Sequence, residues 1–497
     1  MSSIPRPLLR GGVGAAACGH PLAASAATAA FRAGGGAVDA AVAAAAAVAV
    51  VLPEACGLGG DAMLLVRSEA GSVTAFNGSG AAPAALVAPV PPDGAASAAV
   101  PGAVAAWEAA HRRFGRLPLA TVLEPAIALA RNGFPVSEPL LGAVEAQRGR
   151  LERGAPSWPL LDRSLRPGLL FRQPELARTL TLIAERGAKA FYSGPVADSI
   201  ERTVAAEGGS LTAADLAAHE TVVRAPISVL HRGTRLWLQP PVSQALLAAI
   251  VLGELERRVL AGPDADVHVA VEAVEAAFAH RDEIAAPGAE ARLLSLALQI
   301  DDKRASRRGG PKGYAHTTAI TTADSSGTVV SQLVSLFDDF GCASLVPEGG
   351  FVLNDRLTGF SPDPSSPNAA APGKHPVHTL SPALFDASSG PVALATPGAD
   401  GQVQVLVQVL ESLLGDRISI PEALDAPRWR SIESRLALEH GFDRGVAESL
   451  SRRGHEVTWL PAGDSLFGAC ALAGFDANTG TAFAAADPRR ATWAAAC

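Results

Sequence analysis

Hydroxyl residues stand at one conspicuous place in the chain, where His316-Thr317-Thr318 separates a charged, glycine-rich stretch from a β-type run. Residues 301–316 lack apolar periodicity and read as an exposed loop. The runs 318–322 and 328–336 flank Asp-Ser-Ser-Gly and read as the two arms of a β-hairpin. Were the bond between His316 and Thr317 cut, Thr317 would carry a free α-amine beside its own hydroxyl. An α-amine titrates near ~8, so it is partly neutral at physiological pH and can act as general base for that hydroxyl. No separate Ser-His-Asp triad would then be needed. A threonine pair opening a strand also follows from β-propensity alone, so the surroundings must decide.

The elements that would position this residue are legible in part. Residues 37–51 are almost all Ala and Val, without Gly or Pro, which predicts a helix packed on all sides. Gly57-Leu58-Gly59-Gly60 then interrupts before a short apolar strand at 62–66. Close backbone approach explains these glycines better than a phosphate cradle, because no Lys-Ser/Thr ending follows. Apolar spacing predicts helices over 103–113, 118–132, 174–186, 211–218, 267–281 and 402–414, with Thr212 as an N-cap. Further strands are expected at 351–353, 392–395, 470–475 and 481–485, so the last third is sheet-rich with helices interspersed. No internal repeat is present.

Composition narrows the classes. The chain has 497 residues, 48% hydrophobic and 18% charged, with a formal net charge of -8. That suits a large buried core and disfavours a disordered or fibrous protein. Lys303-Arg304 with Arg307-Arg308 reads as a solvated loop, so no nucleic-acid partner is expected. The 5 cysteines are scattered and odd in number, which fits free thiols in a reducing compartment rather than a disulfide framework or a zinc site. The apolar run 40–52 is too short to span a bilayer. The N-terminal segment lacks a signal-peptide core. A cytoplasmic protein without membrane partner, metal or cofactor is expected.

Several blocks, in order along nearly the whole chain, resemble the gamma-glutamyltransferase family. They are His20-Pro21, the Gly-Gly-Gly-Ala-Val-Asp-Ala-Ala-Val run at 34–42, Gly57-Leu58-Gly59-Gly60, and Val100-Pro101-Gly102-Ala103-Val104. Phe114-Gly115-Arg116, the Ala-Arg-Asn-Gly-Phe-Pro-Val run at 130–136, Leu211-Thr212 with Asp215-Leu216, and Asp487-Pro488-Arg489 continue the series. The segment Thr317-Thr318-Ala319-Ile320-Thr321-Thr322-Ala323-Asp324 with Gly327 is similar to the opening of that family's small subunit. The resemblance implies a four-layer αββα sandwich of mixed helix and sheet, the N-terminal-nucleophile hydrolase fold. It also implies a precursor cut at His316-Thr317 into a large subunit, 1–316, and a small catalytic one, 317–497, together forming one αββα unit that could assemble further. Thr317 becomes the nucleophile and Ser335 its supporting hydroxyl. The backbone amides of Gly398 and Ala399 form the oxyanion hole, because Thr-Pro-Gly-Ala-Asp at 396–400 falls where the family has a Gly-Gly pair.

The chain also departs from the family. Ala319 replaces a usual histidine, and the asparagine expected near Phe337 is missing. Arg356 and Gly359 stand where the family holds the substrate's α-amine, and His378-Thr379 replaces a Ser-Ser pair. No arginine between Pro83 and Asp93 matches the family's carboxylate clamp. A charged amino-acid head group needs paired charges to offset its desolvation, so a γ-glutamyl donor is disfavoured. Asn354-Asp355-Arg356 and His375-Pro376-Val377-His378-Thr379 resemble the acylase-like branch. Asn354, Arg356, His378 and Thr379 are therefore the candidate substrate-binding residues. Arg356 could hold a carboxylate bidentately or form a structural ion pair; His378 could donate a hydrogen bond or be structural. The expected partner is a small acyl-amide, cleaved by hydrolysis or transfer. The alternatives are a tailoring hydrolase of an activated C–C or amide bond in a natural-product intermediate, and an uncleaved, inactive scaffold.

Overall fold

All 15 residues of Ala37–Val51 are buried in one helix. A helix apolar all round needs neighbours on every side, and here they are the helices Pro21–Arg32, Ala103–Phe114 and Leu119–Asn132 and the strand Thr318–Asp324. The computed structural model describes residues 6–258, 262–312 and 317–497.

Two seven-stranded sheets form the centre. One runs, in spatial order, Leu9–Gly11, Thr481–Ala486, Ala471–Asp476, Gly390–Ala395, Ala383–Ala387, Thr234–Leu238 and Ile227–His231. The other runs Trp493–Ala496, Gly14–Cys18, Thr318–Asp324, Val329–Ser335, Asp61–Arg67, Val73–Gly78 and Val222–Arg224. Every pairing within them is antiparallel. The sheets stack through small side chains: Ala15, Ala17, Ala319 and Ala323 meet Ala393, Ala395, Ala471 and Ala473. A large core joins the second sheet to the N-terminal helices. Another joins the first sheet to helices Ala245–Glu256, Pro263–Phe278 and Gly401–Leu410. Helix, sheet, sheet and helix thus form the four layers the sequence led us to expect.

The hairpin from Thr318 to Ser335 lies between two strands of the candidate large subunit. Its first arm pairs with Gly14–Cys18 and its second with Asp61–Arg67, so strands from either side of residue 317 share one ladder. Helix 402–414 is shorter than expected: it ends at Leu410 and passes into a π-helical turn, Glu411–Gly415. Buried His231 and exposed Arg232 both engage Glu411 there. The helix expected at 267–281 begins earlier, at Pro263, and ends at Phe278. Strand Gly14–Cys18, with sequence Gly-Ala-Ala-Ala-Cys, gave no local signal; pairing on both edges overrides alanine's helical preference.

The glycines at 57–60 let backbones touch. A Cβ on Gly59 would lie 2.1 Å from the Val352 carbonyl oxygen, and one on Gly60 would lie 2.3 Å from that of Ser335. The stretch 301–312 is largely exposed, as its composition implied, yet it is tied down. Ala305 N–H donates to Arg453 O at 2.8 Å, and Lys312 N–H to Asp400 Oδ2 at 3.0 Å.

Candidate active site

Ladder register builds the site. Thr318 pairs with Val334, so Thr317 extends the ladder opposite Ser335, and Ser335 in turn pairs with Asp61. Because side chains alternate along a strand, Thr317, Ser335 and Asp61 share the face of Ala319, Leu333 and Met63, which points between the sheets. Three polar groups therefore form one row at the end of the sandwich.

The Thr317 hydroxyl lies 3.3 Å from Ser335 Oγ, and both residues are buried. Ser335 Oγ also accepts the Phe337 N–H at 3.0 Å. Phe337 turns the chain back with φ 86, a left-handed conformation uncommon outside glycine. Its ring then lies under the Arg356 guanidinium, 4.3 Å from Cζ to centroid.

Arg356 is wholly buried. Its Nε donates to Asp61 Oδ2 at 2.7 Å, while Nη1 and Nη2 have no hydrogen-bond partner among the described residues. Burial pushes the Asp61 carboxyl up, but the Arg356 charge and the His378 hydrogen bond outweigh it and hold the group below its ordinary range. His378 donates from Nε2 to Asp61 Oδ2 at 3.0 Å, and its Nδ1 accepts the Leu380 N–H at 3.1 Å. Burial, reinforced by Arg356, lowers His378 to about 4. It is a neutral imidazole whose two nitrogens are both committed. The alternative in which His378 donates to a substrate is corrected on that ground.

Asn354 is corrected too. Its amide donates to Gly59 O at 2.8 Å and Ala99 O at 3.1 Å, and its oxygen accepts from the Ala99 and Arg356 backbone. A side chain so satisfied is a clamp on three chain segments, with no capacity left for a ligand. Thr379 is buried, and its hydroxyl makes no hydrogen bond among the described residues. Asp338 and Asp339 lie in the turn after the strand, as expected.

The opposite wall comes from the other sheet. Ser331 Oγ donates to Leu394 O at 2.8 Å, which brings the end of strand Gly390–Ala395 across the strand carrying Ser335. The chain then turns through Gly398, φ 125, and Ala399, φ 49. Neither amide donates to a carbonyl or side chain among the described residues. Gln244 Nε2 fixes this turn, donating to Ala399 O at 2.9 Å and Thr379 O at 3.2 Å. Lys312 is held to the same turn through Asp400, and five residue steps of ~3.8 Å at most separate it from Thr317. His316 lies outside the described residues.

Asp61, Phe337 and Gln244 escaped the sequence reading. Asp61 alone left a trace there: a lone acid heading an otherwise apolar strand directly after Gly-Gly.

The family model of gamma-glutamyltranspeptidase matches residues 23–497. The chain belongs to the gamma-glutamyltranspeptidase family. Within it, the oxamate amidohydrolase proenzyme of Klebsiella pneumoniae is 34% identical over 487 residues, spanning 90% of this chain and 92% of that protein. The glutathione hydrolase-like YwrD proenzyme of Bacillus subtilis is 33% identical over 477 residues, spanning 89% and 90%. Among solved structures, cephalosporin acylase from Bacillus halodurans superposes with a TM-score of 0.90 at 30% identity, covering 100% of this chain and 98% of that one. The gamma-glutamyltranspeptidase family is one of hydrolytic enzymes with the N-terminal-nucleophile fold, and this chain is an enzyme of that kind. No helix among the described residues is long and apolar enough to cross a membrane.

Proposed function

We propose that this chain is a precursor that cuts itself between His316 and Thr317, and that the mature enzyme hydrolyses an amide whose acyl group carries a carboxylate held by Arg356. The observation that carries this reading is the Arg356 guanidinium: buried, oriented through Nε by Asp61, and with Nη1 and Nη2 unpartnered among the described residues. Two adjacent N–H donors on a planar fork match the two oxygens of a carboxylate. A buried cation with unmet donors is costly, and an incoming carboxylate would relieve that cost. The name of the Klebsiella relative agrees in kind, since oxamate is an amide bearing a carboxylate.

In the mature enzyme the Thr317 α-amine takes the proton from Oγ1 as the oxygen attacks the acyl carbon. The oxyanion that forms is met by the amides of Gly398 and Ala399, backbone donors already in place before reaction. Collapse expels the amine, which takes the proton back from Thr317, and leaves an ester on Oγ1. Water, deprotonated by the same α-amine, then attacks the ester, and the α-ammonium returns the proton to Oγ1 as the acid leaves. Ser335, accepting from Thr317 and Phe337, orients the nucleophile. Self-cleavage would use the same hydroxyl on the His316 carbonyl and divide the chain into 1–316 and 317–497.

The test is hydrolysis of short carboxylate-bearing amides, oxamate among them, against γ-glutamyl-p-nitroanilide. Ammonia release with little p-nitroaniline is expected. The reverse preference would overturn the assignment of Arg356.

A further inference from the structure

A second cluster lies away from the nucleophile. Helix Pro263–Phe278 carries His268 and Glu272 one turn apart on one face, and His455 follows helix Arg444–Arg452. One ligand atom from each of the three lies within 4.8 Å of the others, and all three residues are buried. We propose that His268, Glu272 and His455 form a binding site for a borderline divalent transition-metal ion such as Zn2+ or Co2+.

Tautomers make the case. His268 Nε2 lies 2.9 Å from the Asp301 carbonyl oxygen, which can only accept, so that nitrogen carries the hydrogen. His268 Nδ1 is therefore a lone-pair donor, and it faces His455 Nε2 at 2.8 Å. In the metal-free protein the His455 Nε2–H donates to it. Moving that hydrogen to His455 Nδ1 exposes a second lone pair with no net change in charge. Glu272 supplies the anion. Its Oε1 accepts the Ser306 N–H at 3.0 Å, while buried Oε2 has no hydrogen bond among the described residues and lies 3.7 Å from Arg308 Nη1.

Two imidazoles and one carboxylate, with water as a fourth ligand, suit tetrahedral Zn2+ or Co2+ rather than Mg2+ or Ca2+, which prefer all-oxygen sets. The Asp301 carbonyl on the far nitrogen of His268 is the kind of partner that fixes ligating histidines. Arg308 is the competitor: its other contacts, to the carbonyls of Glu272 at 3.4 Å and Gln299 at 2.7 Å, keep it beside the carboxylate. The cluster gathers Asp301, Ser306 and Arg308 from the segment that leads to Thr317. A bound ion would pin that segment to the helix at 263–278 and to residue 455.

The experiment is titration of chelator-treated full-length protein with Co2+, followed by visible absorption. One equivalent should saturate the visible bands of a tetrahedral Co2+ site. His268→Gln and His455→Gln should each weaken binding by more than the roughly 10- to 100-fold that loss of an outer-shell partner costs. Arg308→Gln should tighten it. Circular dichroism and thermal melting identify variants that stay folded, and Glu272→Gln serves as the third ligand test if one histidine variant does not. Folded wild-type protein without a saturable one-equivalent band, or with bands unchanged in the folded ligand variants, would show a hydrogen-bonded histidine pair and nothing more.

Discussion

Asp61 and Arg356 meet through a single atom pair: Oδ2 and Nε are 2.7 Å apart, and both side chains are wholly buried. Their pairing leaves the outer edge of the guanidinium, Nη1 and Nη2, without a partner among the described residues. An ion pair that consumed both terminal nitrogens would be structural only. This one leaves the fork of the guanidinium available.

Arg356→Met should therefore have two separable effects. Turnover of carboxylate-bearing amides falls at least ~100-fold, the loss of a charge-assisted bidentate contact. Stability also falls, by about 3–5 kcal/mol, because Asp61 is left as a buried charge with no cation beside it, only the His378 ring and the Gly80 N–H. Adding Asp61→Asn should restore most of the stability and none of the turnover. Urea unfolding and steady-state kinetics on the two variants check both statements.

Thr317→Ala should yield a single unprocessed chain of 50.5 kDa on a denaturing gel, with no hydrolysis of any amide. Wild-type protein should give two bands, and Edman sequencing of the smaller should read Thr-Thr-Ala-Ile. A Thr317→Ala chain that still splits at this bond would remove Thr317 from the mechanism.

Ser335→Ala removes the acceptor shared by Thr317 and Phe337. Loss of a buried hydrogen bond of this kind costs about 1–2 kcal/mol, hence roughly tenfold or more in rate. The fall should appear in kcat, with KM nearly unchanged, and processing should slow in parallel. A change in KM alone would mean that Ser335 contacts substrate instead of orienting the nucleophile.

Gly60→Ala would place a Cβ 2.3 Å from the Ser335 carbonyl oxygen, a backbone atom that can yield only by moving the strand. A destabilisation of about 2–4 kcal/mol and loss of processing are expected. Gly12→Ala is the control, since nothing lies within 4 Å of its Cβ and its φ is not positive. It should stay within about 0.5 kcal/mol of wild type. Equal stability of the two variants in urea would refute the close-approach account.

Acid should weaken the fold in a defined window. His20, His219, His378 and His455 are each lowered to about 4, with burial as the first cause. These groups stay neutral in the folded chain, whereas in the unfolded chain they protonate near 6.5. Stability is then intact above about 6.5, falls as pH drops below it, and levels off near 4, when the folded form also takes the protons. For wholly buried His378 the effect is on the order of 3 kcal/mol at most. Asp61 works lower: held below its ordinary range, it stabilises above the unfolded carboxylate value of about 3.9 and that contribution is lost on further acidification. Urea midpoints that do not change between pH 7.5 and pH 5 would contradict the assignment of neutral buried histidines.

Short-range pattern determined a good deal of this protein by itself. The helix Ala37–Val51 is read from composition, because a segment apolar on every face has few other solutions. The hairpin holding Thr317 and Ser335 is read from β-type runs around a turn, and ordered motifs mark the family. Tertiary structure alone decided which polar groups face one another. Asp61 meets Arg356 and His378 across 295 and 317 residues, and His268 meets His455 across 187. Asn354 and His378 stand in motifs that suggest ligand contact, yet their donors and acceptors are taken up inside the protein. Propensity and periodicity act over a few residues. Strand register and sheet stacking join distant segments, and they settle whether a buried donor finds its partner in the chain or has one left to offer.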